Sequence, residues 1–538
     1  MEGQATNEQS SNVPQQTENE DMKKPLRPPR EAGCKVLLTQ QTIHREVTLL
    51  CNKRSLPSTF DPRSSIRDLR SETRNTDTTA KAGAVLPLQL LHATGVLEAA
   101  DSIGLRSTRG FGDRDHVTAA VFVNLEGLGS CDDLEYLRDD IALGYLCRET
   151  GRHHGVKPRT DHAFPSPSAF RSWLHDVGDS TVALESIKGL LNRPADYLQK
   201  RKPQREVTLD MDATFIPTRQ GDAPVNYQGE RSNEAFNVYC PELDMFIHSE
   251  YTPGNVSPRT DPLGLLKRGG EKLPPGVGTV SLRMDSAGYN MELLRYCCEG
   301  RSPWGVIHFG ISAPMYLPYR EAVQKLPEDA WQRLDDTTEW AEVNIVPPQF
   351  GYSKKDPQLR FLALRQKVAT PTPAEKGEAL QKTLELEIEE WEAAYPKVKS
   401  LHLTTFNGEI YKTFLMVTNK FEELGEQVIR WQRKLCGMSE EVHGILKNGL
   451  AGGHVPTGDF GANAAWWYLS VLSFNLQRLM THHLLPAGWA RVHQKRLLAT
   501  IYSTPARLVR HAGQIVLKMG ARSGRSLKRP TGGCFGCT

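Results

Sequence analysis

The order of predicted elements describes an α/β protein whose core carries a large, mostly-β insertion and follows an all-helical region. Three observations predict it. Apolar residues at helical spacing fill 85–195, strand-like alternation begins after Lys202, and helices return beyond 420. The 538 residues are 39% hydrophobic, 24% charged and 8% aromatic. That is globular composition, and it excludes collagen-like and wholly disordered classes.

Residues 1–82 read as a disordered polar tail and arm. The first 32 are rich in Gln, Asn, Glu, Ser and Pro, and 53–82 are polar with recurring basic residues. Residues 83–200 form the helical region. DDLEYLRDDIALGYL places Leu134, Leu137, Ile141 and Tyr145 on one helical face, and Ser166 beside Pro167 is a helix-start signal. Strands are expected at 205–211, 235–239, 245–248 and 280–284. Further strands are expected at 306–310, 343–346, 361–368, 401–405 and 413–417, interrupted by an acidic helix at 374–395. Helices follow at 421–435, 439–448 and 462–483. The core therefore takes 203–302 and 420–485, the β-rich insertion 303–419 and a basic C-terminal region 486–538.

The formal net charge is only +3, but it is unevenly spread. No acidic residue follows Asp459, whereas 460–538 holds 11 Lys and Arg, among them Arg496, Arg507 and Arg510. A one-signed stretch of this kind suits a polyanion, nucleic acid first. No run reaches the 18 or so apolar residues of a membrane span, so no membrane partner is expected. The polar N-terminus lacks the apolar segment of a signal peptide, which points to the cytoplasm. Ten cysteines in a chain this long do not make a disulfide framework, and the lone Cys534-x-x-Cys537 reads as reduced thiols. Trp466 and Trp467 read as core residues.

Three carboxylates stand out. Asp212 lies near the end of one predicted strand, with Asp210 two residues before it, and Asp285 ends another. Carboxylates at strand termini suit a hard cation such as Mg²⁺. In SEEVHGILKNGL, Val442, Ile445 and Leu446 form an apolar stripe. Glu440, His443 and Lys447 project from the opposite side, with Glu441 on the flank. Spacing alone leaves both Asp210 and Glu441 open as ligands.

LDMDAT, LRMDSAGY and SEEVHGILKNGLAGGHVPTGDFGANAAWWYLSVLSFNL, in this order, resemble the DDE transposases of bacterial insertion sequences. They are most similar to the group whose catalytic domain is called transposase DDE domain group 1. YTPGNV, YKTFLMVTN and TPARLVRHAGQIVLKMG agree, so the resemblance spans roughly residues 80–520. It implies an RNase H-like catalytic core, with the insertion between the second Asp and the Glu. The long gap from Asp285 to Glu440 accommodates that insertion. Carried over, the catalytic and metal-binding triad is Asp212, Asp285 and Glu440. Asp212 is preferred to Asp210 because the pattern has Thr or Ser two residues on, here Thr214. Glu440 is preferred to Glu441 because Lys447 stands seven residues after it, as in the related signature Tyr-x2-Arg-x3-Glu-x6-Lys. The signature's Tyr and Arg positions are Arg433 and Cys436 here.

The resemblance implies Mg²⁺ (or Mn²⁺) as cofactor and double-stranded DNA as partner, both terminal inverted repeats and target. It implies a homodimer in the active complex and a nucleoid-associated location. Lys447, Arg433, Arg496, Arg507 and Arg510 are the expected DNA-contacting residues. Cleavage at the element's end frees a 3′-OH, which then attacks target DNA. Two other readings stand beside this one: a silent, transposase-derived DNA-binding protein, and an RNase H-like nuclease without strand transfer.

Overall fold

The computed structural model describes residues 33–38, 48–52, 77–106, 110–151, 162–347, 356–367, 403–407, 409–490, 492–511 and 514–519. The acidic helix expected at 374–395 and the cysteines at 534 and 537 lie outside them. The molecule is a mixed α/β structure with one large sheet and helices.

Two short strands, β1 (Gly33–Leu38) and β2 (Thr48–Asn52), fall inside the stretch read as a polar tail. Each is a short apolar run in a polar setting, GCKVLL and TLLCN. With β3 (Thr78–Thr79) they precede the helical region. Its helices are α1 (Val85–Ala93), α2 (Val96–Ala100), α3 (Asp113–Leu125), α4 (Glu135–Arg138), α5 (Ile141–Gly151), α6 (Pro167–Asp179), α7 (Thr181–Leu190) and α8 (Arg193–Arg201). The Ser166 hydroxyl accepts from the Ala169 amide at 3.2 Å, so the expected cap starts α6. Ser180 caps α7 in the same way. The single face expected over 134–145 is broken between α4 and α5 at Asp139–Asp140. The Asp140 carboxylate accepts from the Leu143 amide and starts a new helix. Leu134 and Leu137 are buried, while Ile141 is exposed.

The large sheet begins with β4 (Glu206–Pro217), β5 (Ser232–Cys240) and β6 (Met245–Pro253), an antiparallel meander. Helix α9 (Pro262–Gly270) leads to β7 (Thr279–Met284), which pairs parallel to β4. Helix α10 (Met291–Glu299) then leads to β8 (His308–Ala313), parallel to β7. Right-handed crossover helices suit such parallel steps. The spatial order is β6-β5-β4-β7-β8.

Beyond helix α11 (Leu317–Gln324), the strands of the expected insertion extend this same sheet. They are β9 (Gln332–Arg333), β10 (Thr338–Val343), β11 (Arg360–Lys367), β12 (Leu403–Phe406) and β13 (Glu409–Thr418). β13 pairs antiparallel with β8, β11 with β13 and β10 with β11, so each strand covers an edge the previous one would leave open. β8 itself belongs beside β7, although its sequence lies past the expected boundary at 302.

The two helices expected over 421–448 form one, α12 (Gly425–Gly444), ending in a π-helical turn at Ile445–Gly449. Helix α13 (Phe460–Arg478) follows, capped by Asp459, which accepts from the Ala462 amide at 2.6 Å. Its residues 462–478 are all buried, and Trp466 and Trp467 are core residues. It packs on α6, α3 and β6. Gly178 of α6 and Gly461 touch backbone to backbone, and a Cβ on Gly178 would meet the Ala462 nitrogen at 2.4 Å. Buried Asn475 stitches α13 to the sheet, accepting from the Phe246 amide at 2.9 Å and donating to its carbonyl at 2.8 Å. The basic C-terminal region contains α14 (Gln494–Leu497) and a hairpin, β14 (Ala506–His511) and β15 (Gln514–Met519). The hairpin lies between β1 and β3 in a separate sheet.

Candidate active site

The site is set by the register of two parallel strands. β4 and β7 pair so that Asp210 stands beside Arg283 and Met211 beside Met284. Just past this last pair, Asp212 continues β4 and Asp285 follows the end of β7, and the two carboxylates lie within electrostatic range of each other. Asp285 leaves the strand as the cap of a 3₁₀ turn, its carboxylate accepting from the Ala287 amide at 2.9 Å. Both aspartates border one small hollow with Ala213, Phe236, Pro258, Leu265 and Met284.

Asp210 is committed elsewhere. Arg283 holds it with two hydrogen bonds of 2.6 Å, and both side chains are almost fully buried. The same guanidinium donates to the Trp431 carbonyl at 2.8 Å and so ties α12 to the sheet. Asp212 and Asp285 are ion-paired with no lysine or arginine among the described residues. The Asp212 carboxyl is pushed above its ordinary range, first by loss of solvent and then by the Glu440 charge. Asp285 is raised by the same loss of solvent and by Asp212, although its side chain reaches solvent. Excess negative charge of this kind favours a cation.

Helix α12 carries the third expected carboxylate, Glu440, and the residues around Asp212. Glu440 is exposed and lies within electrostatic range of Asp212. Glu441 points away, with Arg478 at 3.5 Å. Ser439 donates a short hydrogen bond to Asp212 Oδ2, while the Ala213 amide donates to Oδ1 at 2.9 Å. His443 is buried against the sheet, contrary to its expected place on the polar side with Glu440. It stacks on Phe246, and burial holds its pKa down to about 4, so it is neutral. Lys447 lies on the π-helical turn and donates to the Phe215 carbonyl, three residues beyond Asp212, at 3.0 Å. Burial lowers its pKa.

The other expected DNA-contacting residues spread out. Arg433 sits 3.7 Å from Asp335, in the sheet extension. Arg496 is exposed beside the Trp489 ring. Arg507 pairs with Asp77 at 2.5 Å in the C-terminal hairpin, and the Arg510 side chain lies outside the described residues. Among the described residues, no three His, Cys, Asp or Glu side chains are grouped closely enough to hold a metal ion as they stand.

Sequence reasoning missed Glu234 and the partners of His443. Glu234 is buried on β5, and burial together with the Asp212 charge pushes its carboxyl up to about 7. The available signal was polar residues, Glu234 and Asn237, in a strand buried along its whole length.

Fold and site together define a mixed α/β protein with two adjacent carboxylates on neighbouring parallel strands. No family model matches the chain, and no curated protein matches it. Among solved structures, it is similar to a piggyBac transposase in a synaptic complex with hairpin DNA. That alignment has TM-score 0.38 and 10% identity, covering 78% of this chain and 79% of that one.

Proposed function

We propose that the protein is a DNA transposase that cleaves the ends of its element and joins the freed 3′-OH to target DNA. The observation that carries this reading is the hollow that Asp212 and Asp285 share, just past the end of the β4–β7 pairing. The strand order β6-β5-β4-β7-β8, three antiparallel strands followed by two parallel to β4, supports an RNase H-like core.

Asp212 and Asp285 fit Mg²⁺ or Mn²⁺: both are oxygen donors, share one hollow and form no ion pair with a lysine or arginine among the described residues. Glu440, exposed on the facing helix, completes the donor set by turning its side chain inward. The ion, when bound, supplies positive charge at the scissile phosphodiester and eases ionisation of the attacking water. Lys447 holds a DNA phosphate beside β4. The helical region at 83–200 binds the terminal inverted repeats, and the basic C-terminal region adds sequence-independent phosphate contacts. Pairing two ends requires a dimer.

The absence of a ready three-residue cluster among the described residues favours a second reading, a DNA-binding protein without cleavage. A labelled duplex carrying the element's end, incubated with Mg²⁺ or Mn²⁺, separates the two. End-specific nicking that is lost in Asp285→Ala and Glu440→Ala is the expected result. Tight binding without nicking under either metal supports the second reading.

A further inference from the structure

A chain of hydrogen bonds runs through the core to the candidate site. Trp467 Nε1 donates to Ser249 Oγ at 2.7 Å, and Ser249 Oγ donates to Asn237 Oδ1 at 2.6 Å. Asn237 Nδ2 lies 3.1 Å from His443 Nε2, and His443 Nδ1 lies 3.3 Å from Ser439 Oγ. Ser439 then donates to Asp212 Oδ2.

The direction of this chain is fixed at its buried end. An indole N–H can only donate. Ser249 accepts from it and turns its own proton to Asn237 Oδ1. The Asn237 amide nitrogen can only donate, so His443 Nε2 must accept. A neutral imidazole accepting at Nε2 carries its proton on Nδ1. That proton faces Ser439 Oγ, which leaves the serine proton for Asp212. Trp467, Ser249 and Asn237 are all buried, so water does not compete for these contacts.

We propose that Ser439 and His443 are positioning residues for Asp212, with polarity imposed by Trp467 through Ser249 and Asn237. The chain holds Oδ2 while the Ala213 amide holds Oδ1, and together they fix the rotamer of the carboxylate that borders the hollow shared with Asp285. This role rests on the reading that Asp212 binds a divalent cation. Partners behind a metal ligand of this kind change metal affinity by about 10- to 100-fold.

The test is an Mn²⁺ titration of the full chain, followed by electron paramagnetic resonance, with duplex affinity in EDTA and thermal stability measured alongside. Ser439→Ala should weaken Mn²⁺ binding by about tenfold, with duplex affinity within about twofold of the parent. Ser439→Thr keeps the hydroxyl and should restore binding. His443→Gln keeps an acceptor toward Asn237 but loses the donor toward Ser439, so it should behave like Ser439→Ala. His443→Asn, whose amide can occupy the Nδ1 position, should be milder. A parent that binds no Mn²⁺ overturns the transposase reading itself. A parent that binds Mn²⁺, with Ser439→Ala binding equally well, overturns only the positioning role. So does a weakened Ser439→Ala that Ser439→Thr does not rescue.

Discussion

Asp210 and Asp212 stand two residues apart on β4 and face the same side, yet Arg283 neutralises the first, while the second meets only the neutral His443 ring at 3.7 Å and no lysine or arginine among the described residues. The contrast separates a carboxylate held in a buried ion pair from one without such a partner within one strand. Removing one partner of a buried ion pair leaves the other charge uncompensated and costs about 3–5 kcal/mol. Asp210→Asn should therefore lower stability by that order in a denaturant titration. Asp212→Asn should change it by less than about 1 kcal/mol, because the native carboxylate is already disfavoured by lost solvent. Only the second substitution should abolish metal-dependent nicking without unfolding the chain.

Glu440 and Glu441 are neighbours with different surroundings. Glu440→Gln should abolish nicking, whereas Glu441→Gln should keep it. The latter removes only a 3.5 Å contact from an exposed carboxylate to Arg478, which keeps Asp244 as a partner, so stability should change by under about 1 kcal/mol. Single-turnover nicking rates of the two variants check this directly.

Lys447 is a half-buried cation beside the strand that carries Asp212. Lys447→Ala should weaken duplex binding about equally for specific and unrelated sequences. It should also reduce the slope of log affinity against log salt by about 1. An unchanged slope would remove Lys447 from the phosphate contacts.

Glu234 gives a pH signature. Its carboxyl titrates at about 7 in the folded chain, against an ordinary 4.5. For an acid raised in this way, the native state binds the proton more tightly than the unfolded state. The stabilisation is full below about pH 4.5 and is lost as pH rises through 7. Glu234→Gln should match the parent near pH 4.5 and become more stable than it above pH 7 in metal-free buffer. His116 and His443, both held near 4, run in the opposite direction, but they are common to both proteins and cancel in the difference. Thermal melts of the pair across this range provide the measurement.

Much of this arrangement was legible in local pattern. The strands around Asp212 and Asp285, the cap at Ser166 and the burial of Trp466 and Trp467 each follow from short-range spacing. The single helix α12 did not, because Gly437 and the polar run after it look like a break. Packing of Val428, Ile429, Leu435 and Val442 carries the helix through that glycine. The extension of the sheet by β13, β11 and β10 was also hidden, since edge pairing joins strands about a hundred residues apart. His443 looked solvated because a helical wheel does not show that α12 buries a polar stripe, Ser439 and His443, against Asn237 and Asp212.

The central claim is that Asp212 and Asp285 share a divalent cation. Its most direct test is the Mn²⁺ stoichiometry of the full chain measured by electron paramagnetic resonance, for the parent, Asp212→Asn, Asp285→Asn and Glu441→Gln. The account predicts bound Mn²⁺ in the parent and in Glu441→Gln, with binding lost in each aspartate variant. Equal binding in all four proteins, or none in the parent, would contradict it.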